Sequence, residues 1–289
     1  MKKSKKIAIL GLVNSGKSTF LAALWHILKN NKTKASLAIS ALPENSTYLT
    51  EISRSWLQFK ELSRTPTKRW YENPLTLKDR ANEKEYDILI PDLAGETFFH
   101  QWFHRQWQGK YKSLVEESSN YILFIHPSVE KPELLSVVRR AYSKRFNEEL
   151  PAEESPEEPT IKVWNPEKSP TQVILVELLQ FIMQFKKSKI RIAIVISAWD
   201  LVNNDPLCKF KLPTNWLNGN LPLLYQYLTA NPEYFCFKTF GISAQGGDLQ
   251  TQKAQLLEHE NASERIIVAS DTDTSNDITE PIKWLMEEI

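Results

Sequence analysis

Near its start the chain reads Ile7-Ala8-Ile9-Leu10 and then Gly11-Leu12-Val13-Asn14-Ser15-Gly16-Lys17-Ser18-Thr19. The stretch fits Gly-x4-Gly-Lys-Ser/Thr at every fixed position, and its context is right: a short apolar strand leads in, and a helix-forming run from Lys17 to about Asn30 leads out. The glycines let the backbone wrap a phosphate chain, so that N–H groups and the helix N-terminus point inward. In such a loop Lys17 bridges the outer phosphates and the Ser18 hydroxyl takes a place on Mg2+. With only 8 glycines in 289 residues a chance match is rare. The stretch therefore predicts a nucleotide site rather than an ordinary strand–turn–helix corner.

A chain of 289 residues can bury one substantial core, either as one large domain with insertions or as two small ones. Its 36 basic and 35 acidic residues leave a net charge of +1, which gives no general pull toward nucleic acid or membrane. The basic cluster Lys2 to Lys6 is followed by an apolar run too short for a signal peptide, and no run is long enough to span a bilayer. The two cysteines, Cys208 and Cys236, lack metal-type spacing and predict a reducing cytoplasm without disulfides.

Periodicity orders the rest. Ser36 to Ser40 reads as a short strand or a loop, and Glu44 to Leu62 as an amphipathic helix with Tyr48, Ile52, Trp56 and Phe59 near one face. A polar, basic loop from Ser63 to Arg69 follows. Leu75 to Lys78 and Tyr86 to Pro91 read as a hairpin whose second strand ends in Asp92-Leu93-Ala94-Gly95-Glu96. Asn120 to His126 is an apolar strand. Residues 131–170 carry the acidic, proline-rich run Pro151 to Pro159, which cannot form a packed core and reads as an exposed insertion. Thr171 to Phe185 is an apolar helix leading into the central strand Ile190 to Ile196, which ends in Ser197-Ala198-Trp199-Asp200. A helix over Leu221 to Leu228 precedes a last core strand, Tyr234 to Phe240, ending in Gly241-Ile242-Ser243-Ala244. A second, polar insertion covers 245–279, with a short strand at Arg265 to Val268, and a helix closes the chain over 281–289. Strands alternating with helices predict a mainly parallel, six-stranded α/β sheet with helices on both faces, in one domain over 1–289. Ligands in that architecture sit at the C-terminal ends of the strands.

Four of these stretches, in this order, resemble the Ras-like (TRAFAC-type) GTPase superfamily, and the resemblance covers most of the chain. It implies GTP or GDP and Mg2+ as ligands, with Asn14, Ser15, Gly16, Lys17, Ser18 and Thr19 around the phosphates. Asp92-Leu93-Ala94-Gly95 matches the Asp-x-x-Gly of the second switch, where the aspartate holds Mg2+ through a water and the Gly95 N–H reaches the γ-phosphate. Ser197-Ala198-Trp199-Asp200 stands where the superfamily has Asn/Thr-Lys-x-Asp. Asp200 matches and can accept both N–H groups of guanine's edge, a donor pair adenine lacks. Ser197 and Ala198 depart from the pattern, the lysine that packs over the base being absent. Trp199 either stacks in its place or belongs to the core. Ser243-Ala244 resembles the motif whose backbone contacts the guanine oxygen.

The same resemblance implies a switch threonine that caps Mg2+. Thr65 and Thr67 compete for it, with Thr76 third, and the Pro66-Thr67 pair favours Thr67. Arg64 lies three residues earlier, at the spacing of an internal arginine finger; the competing reading is a solvated arginine in a basic loop. Glu96 stands where Ras has its water-orienting glutamine and adds negative charge beside the γ-phosphate, which implies slow hydrolysis accelerated by a partner.

Thr97 to Gly109 holds Phe98, Phe99, Trp102, Phe103 and Trp107. Either all pack inward, or some form a partner-binding patch when the switch orders. His100 and His104 stand one helical turn apart without an evident third ligand. The wider pattern, including Gly-Ile-Ser-Ala-Gln-Gly-Gly at 241–247, is similar to the bacterial double-GTPase group found in multi-gene conflict systems, which implies a GTPase-activating partner or a second GTPase subunit. Two other readings stand beside the GTPase switch: a nucleotide-occupied scaffold with little hydrolysis, and an ATPase, against which Asp200 argues.

Overall fold

Ile190 to Ser197 reads Ile-Arg-Ile-Ala-Ile-Val-Ile-Ser, and all eight residues are buried. A strand of that kind must be covered on both faces, and it stands inside the only large sheet formed by the described residues. The computed structural model describes residues 3–30, 34–60, 62, 71–132, 145, 165–186 and 188–287. Their strands are β1 (Lys3–Leu10), β2 (Leu37–Ala41), β3 (Pro74–Asp79), β4 (Glu85–Leu89), β5 (Asn120–Ile125), β6 (Ile190–Ser197), β7 (Phe235–Ser243), β8 (Ile267–Ala269) and β9 (Thr274–Ser275). They lie in the order β2-β3-β4-β1-β5-β6-β7-β8-β9. The five central strands, β4, β1, β5, β6 and β7, run parallel. Antiparallel strands extend the sheet at both sides, β2 and β3 at one and β8 and β9 at the other.

The expectation of six mainly parallel strands is thus corrected to a mixed sheet of nine around a parallel centre. The stretch 245–279 is also more ordered than its polar composition predicts: β8 pairs back on β7 and continues the sheet. β8 and β9 have three and two residues, too few to carry a periodic signal.

Each face of the sheet covers its own core. In β1, Ile7 and Ile9 point to one, built with α1 (Lys17–Lys29) and α2 (Thr47–Leu57). Ala8 and Leu10 point to the other, built with α3 (Gly95–His104), α4 (Gly109–Glu117), α5 (Thr171–Met183), α6 (Trp199–Asn204), α7 (Pro213–Asn220) and α8 (Pro222–Ala230). A one-turn helix, α9 (Lys253–Leu256), precedes α10 (Glu280–Met286), whose Ile282, Leu285 and Met286 close the first core. Lys5 holds the end of α10 through its carbonyls, with Nζ donating to Met286 O at 2.8 Å. The predicted helix over 44–62 is shorter, Thr47–Leu57, and with β2 it forms an added strand–helix unit between α1 and β3. The acidic run 151–159 lies outside the described residues. Among the described residues no helix is long and apolar enough to cross a membrane.

Candidate nucleotide site

The C-terminal ends of β1, β5, β6 and β7 open on one cavity of about 480 Å3. Val13 to Phe20 form one end, beside Leu93 to Glu96, which follow β4; Ser197 packs on this loop, where a Cβ on Gly16 would lie 2.8 Å from the Ser197 Cβ, and Ala198, Asp200 and Ile242 to Gln245 line the other end. The fold therefore brings together residues more than two hundred positions apart, at the place where a parallel sheet binds ligands.

At the first end the loop turns through Gly16, whose φ of +86° is open to glycine and strained for other residues. Its N–H groups then lead straight into α1, which starts at Lys17. Lys17 is 6% exposed, and its Nζ donates to the carbonyls of Gly11 at 2.9 Å and Leu12 at 2.8 Å and to Ser15 Oγ at 3.2 Å. Burial pulls its pKa down to about 8, against the opposing pull of the Asp92 and Glu96 carboxylates. Ser18 Oγ donates to Asp92 Oδ2 at 3.1 Å, and Asp92 is fully buried. Gly95 sits against the loop so closely that a Cβ there would lie 2.4 Å from Val13 N. Only glycine lets these two backbones meet.

At the other end Asp200 is 7% exposed, and the Ser243 hydroxyl donates to its Oδ1. Ser243 Oγ in turn accepts the Gly246 N–H at 3.0 Å. Ala198 adopts a left-handed conformation, φ 44°, that turns the chain into α6. Trp199 is fully buried with its ring against Gly241, where a Cβ would come within 2.1 Å of it. It therefore belongs to the core and does not line the cavity.

Of the residues predicted from sequence, Asn14, Ser15, Gly16, Lys17, Ser18, Thr19, Gly95, Glu96, Asp200, Ser243 and Ala244 line the cavity, and Asp92 reaches it through Ser18. Arg64, Thr65 and Thr67 lie outside the described residues. Thr76 is within β3 and donates across the hairpin to Asp87 at 2.8 Å. The aromatic stretch divides: Phe98 and Trp102 are buried, Trp107 stacks on Tyr111 at 5.2 Å, and Phe103 is 43% exposed. His100 and His104 lie with ring centroids 4.3 Å apart on α3. Several lining residues escaped the sequence reading, among them Lys60, Asp248, Gln250 and His126. His126 follows directly on β5, its Nδ1 accepts the Ser128 N–H at 3.1 Å, and burial lowers its pKa while Asp200 opposes the shift. Its position at the end of a central parallel strand is the signal that could have found it.

A phosphate-type loop on a parallel strand, an Asp-x-x-Gly turn touching it and a carboxylate at the far end define a P-loop nucleotide-binding domain of the GTPase kind. The sequence profile of the family described as Double-GTPase 1 matches residues 8–285, and the chain belongs to that family. A GTPase family implies a GTP or GDP site. No curated protein matches the chain. Among solved structures it is similar to Methanosarcina barkeri Roco2 RocCORdC bound to GDP, at 13% identity, TM-score 0.35, over 89% of this chain and 50% of that one. A bacterial selenocysteine-specific elongation factor, EF-Sec, aligns at 15% identity and TM-score 0.39 over 90% of this chain and 30% of that one. The Arl6 BBS3 small GTPase from Trypanosoma brucei, with bound nucleotide analogue, aligns at 10% identity and TM-score 0.39, over 91% and 99%. The chain thus spans half the length of the Roco chain it matches.

Proposed function

We propose that this chain is a GTP-binding molecular switch whose own hydrolysis is slow and is accelerated by a protein partner. The observation that carries the reading is the span of a single cavity, from Lys17 and Ser18 at one end to Asp200 and Ser243 at the other. Phosphates belong at the first end, where the backbone N–H groups and the Lys17 ammonium supply positive charge. Guanine belongs at the second, where Asp200 accepts its two edge N–H groups and the Ser243 hydroxyl holds the carboxylate in place.

The residues also fit Mg2+: the Ser18 hydroxyl and the Asp92 carboxylate already meet at 3.1 Å, both hard oxygen ligands of the kind this ion takes. Bound there, the ion would draw charge off the outer phosphates. Thr67 is the residue we assign as the further switch ligand, and Arg64 as the candidate finger, both on the resemblance alone.

Glu96 opens α3 at the cavity wall, near enough to Lys17 to act on its charge. Its carboxylate can orient water, but it places a negative group where the attacked phosphate gathers negative charge. The same observation supports a second reading, a nucleotide-occupied scaffold with little turnover. Single-turnover GTP hydrolysis separates them. The switch reading expects a rate well below about one per second, dependent on Lys17 and raised by Glu96→Gln. GTP that stays intact over hours in both chains favours the scaffold.

Family membership supports a GTPase or GTPase-activating protein as partner, reached through α3 and the exposed Phe103. We place the switch in a bacterial defence or signalling system and in the cytoplasm; the two free cysteines support the latter.

A further inference from the structure

α2 lies outside the motifs, yet it touches both ends of the cavity. Near its start, the Tyr48 hydroxyl donates to Asp92 Oδ2, the same oxygen that accepts from Ser18. The Tyr48 ring stacks on Tyr71 at 3.6 Å, and Tyr71 O accepts the Asp92 N–H at 3.0 Å. Near its end, the fully buried Trp56 donates its indole N–H to Ala244 O at 3.0 Å. Eight residues separate these two side chains, about 12 Å of helix.

The second attachment continues to the base-side carboxylate. The Arg265 guanidinium lies 4.0 Å from the Trp56 ring and 4.1 Å from that of Phe59, and it donates to Trp56 O at 3.0 Å. Gly246 is packed on Arg265, where a Cβ would lie 2.3 Å from the Arg265 carbonyl oxygen. Gly246 N–H donates to Ser243 Oγ, which donates to Asp200. A continuous run of packed and hydrogen-bonded groups therefore joins Asp92 to Asp200 through one short helix. A rigid helix fixed at both ends passes a displacement at one end to the other.

We propose that α2 couples the base end of the cavity to the metal end, with Trp56 positioning the Ser243–Ala244 loop and Tyr48 positioning Asp92. This rests on the guanine-nucleotide reading above. Coupling is reciprocal in binding free energy, which gives the test its form. The full chain is titrated with GDP and IDP, in magnesium and in EDTA, for wild type, Trp56→Phe and Tyr48→Phe, with melting curves to confirm folding. Both variants keep an aromatic ring and lose one hydrogen bond. IDP lacks the exocyclic amine, one of the two hydrogen-bond donors that the guanine reading assigns to Asp200.

Trp56→Phe, at the base end, is expected to shrink the factor by which magnesium tightens GDP binding by about fivefold, and Tyr48→Phe, at the metal end, to shrink the GDP-over-IDP preference by a similar factor. If Trp56→Phe fails to fold, the Tyr48→Phe preference alone decides. Two results overturn the coupling: Trp56→Phe weakening GDP equally with and without magnesium, or an unchanged GDP-over-IDP preference in Tyr48→Phe. A folded wild-type chain that binds no GDP overturns the guanine reading and the coupling together. A wild type that binds GDP but ignores magnesium overturns only the coupling.

Discussion

The two ends of the cavity are built in different ways. The phosphate end is framed by one continuous stretch: Gly11 to Ser18 supply the loop, the ammonium and a hydroxyl, and Asp92 to Glu96, Tyr48 and Ser197 close on it from elsewhere. It also keeps every fixed position of its pattern. The base end is assembled from β6, β7 and the loop after β7, and it departs from its pattern at Ser197 and Ala198. What holds it is a set of contacts between distant residues, Asp200 with Ser243 and Ala244 with Trp56. Local construction makes the first end robust and general for phosphates. Distributed construction leaves the second open to substitution and to changes far from the ligand.

That contrast is breakable in order of effect. Lys17→Ala should weaken GTP and GDP alike by on the order of a hundredfold, because charge-assisted hydrogen bonds to phosphate are lost whatever the base. Calorimetric titration reads this; a loss confined to GTP would mean the lysine serves the γ-phosphate alone. Asp200→Asn should cost about 2 kcal/mol, roughly thirtyfold, in GDP affinity and leave ADP unchanged, because an amide cannot accept both guanine donors. Equal losses for both nucleotides would remove the base-reading role.

Gly95→Ala tests one of the long-range contacts of the phosphate end. A Cβ there would press on Val13 N and Leu12 C, so about 1–2 kcal/mol of stability should be lost in chemical denaturation. An unchanged midpoint would show that the loop yields freely. Tyr111→Phe, on α4 and away from both ends, sets the baseline. The Tyr111 hydroxyl is buried and has no hydrogen-bond partner among the described residues, so its removal should leave nucleotide affinity unchanged and raise stability by about 1 kcal/mol. Burial pushes this phenol's pKa well above its ordinary value. Above about pH 10 the unfolded chain releases the proton and the folded chain keeps it, so stability falls with rising pH. In Tyr111→Phe that alkaline fall should be shallower, read from melting curves between pH 9 and pH 11.

The same contrast explains what the sequence could convey. The loop Gly11 to Ser18 was legible because its chemistry demands particular residues at fixed spacing, and Asp92, Gly95, Asp200 and Ser243 followed from strand ends that read plainly as apolar runs. Trp199 stayed ambiguous, since stacking on a base and packing on Gly241 ask for the same residue type; its burial decides for the core. β2 was half-visible, and β8 and β9 are too short to have a period. The role of α2 was out of reach for a different reason: Trp56 and Ala244 are 188 residues apart, and no local pattern announces such a hydrogen bond.

The margins of the sheet carry a consequence for assembly. Among the described residues its outermost strands are β2, with a register shift between Ile39 and Ala41, and β9, which is two residues long. A bulged border and a stub each offer too little regular backbone for a neighbouring chain to add a strand. Edge-to-edge pairing through these borders is thereby disfavoured, and with it the self-propagating ladders that end in fibrils.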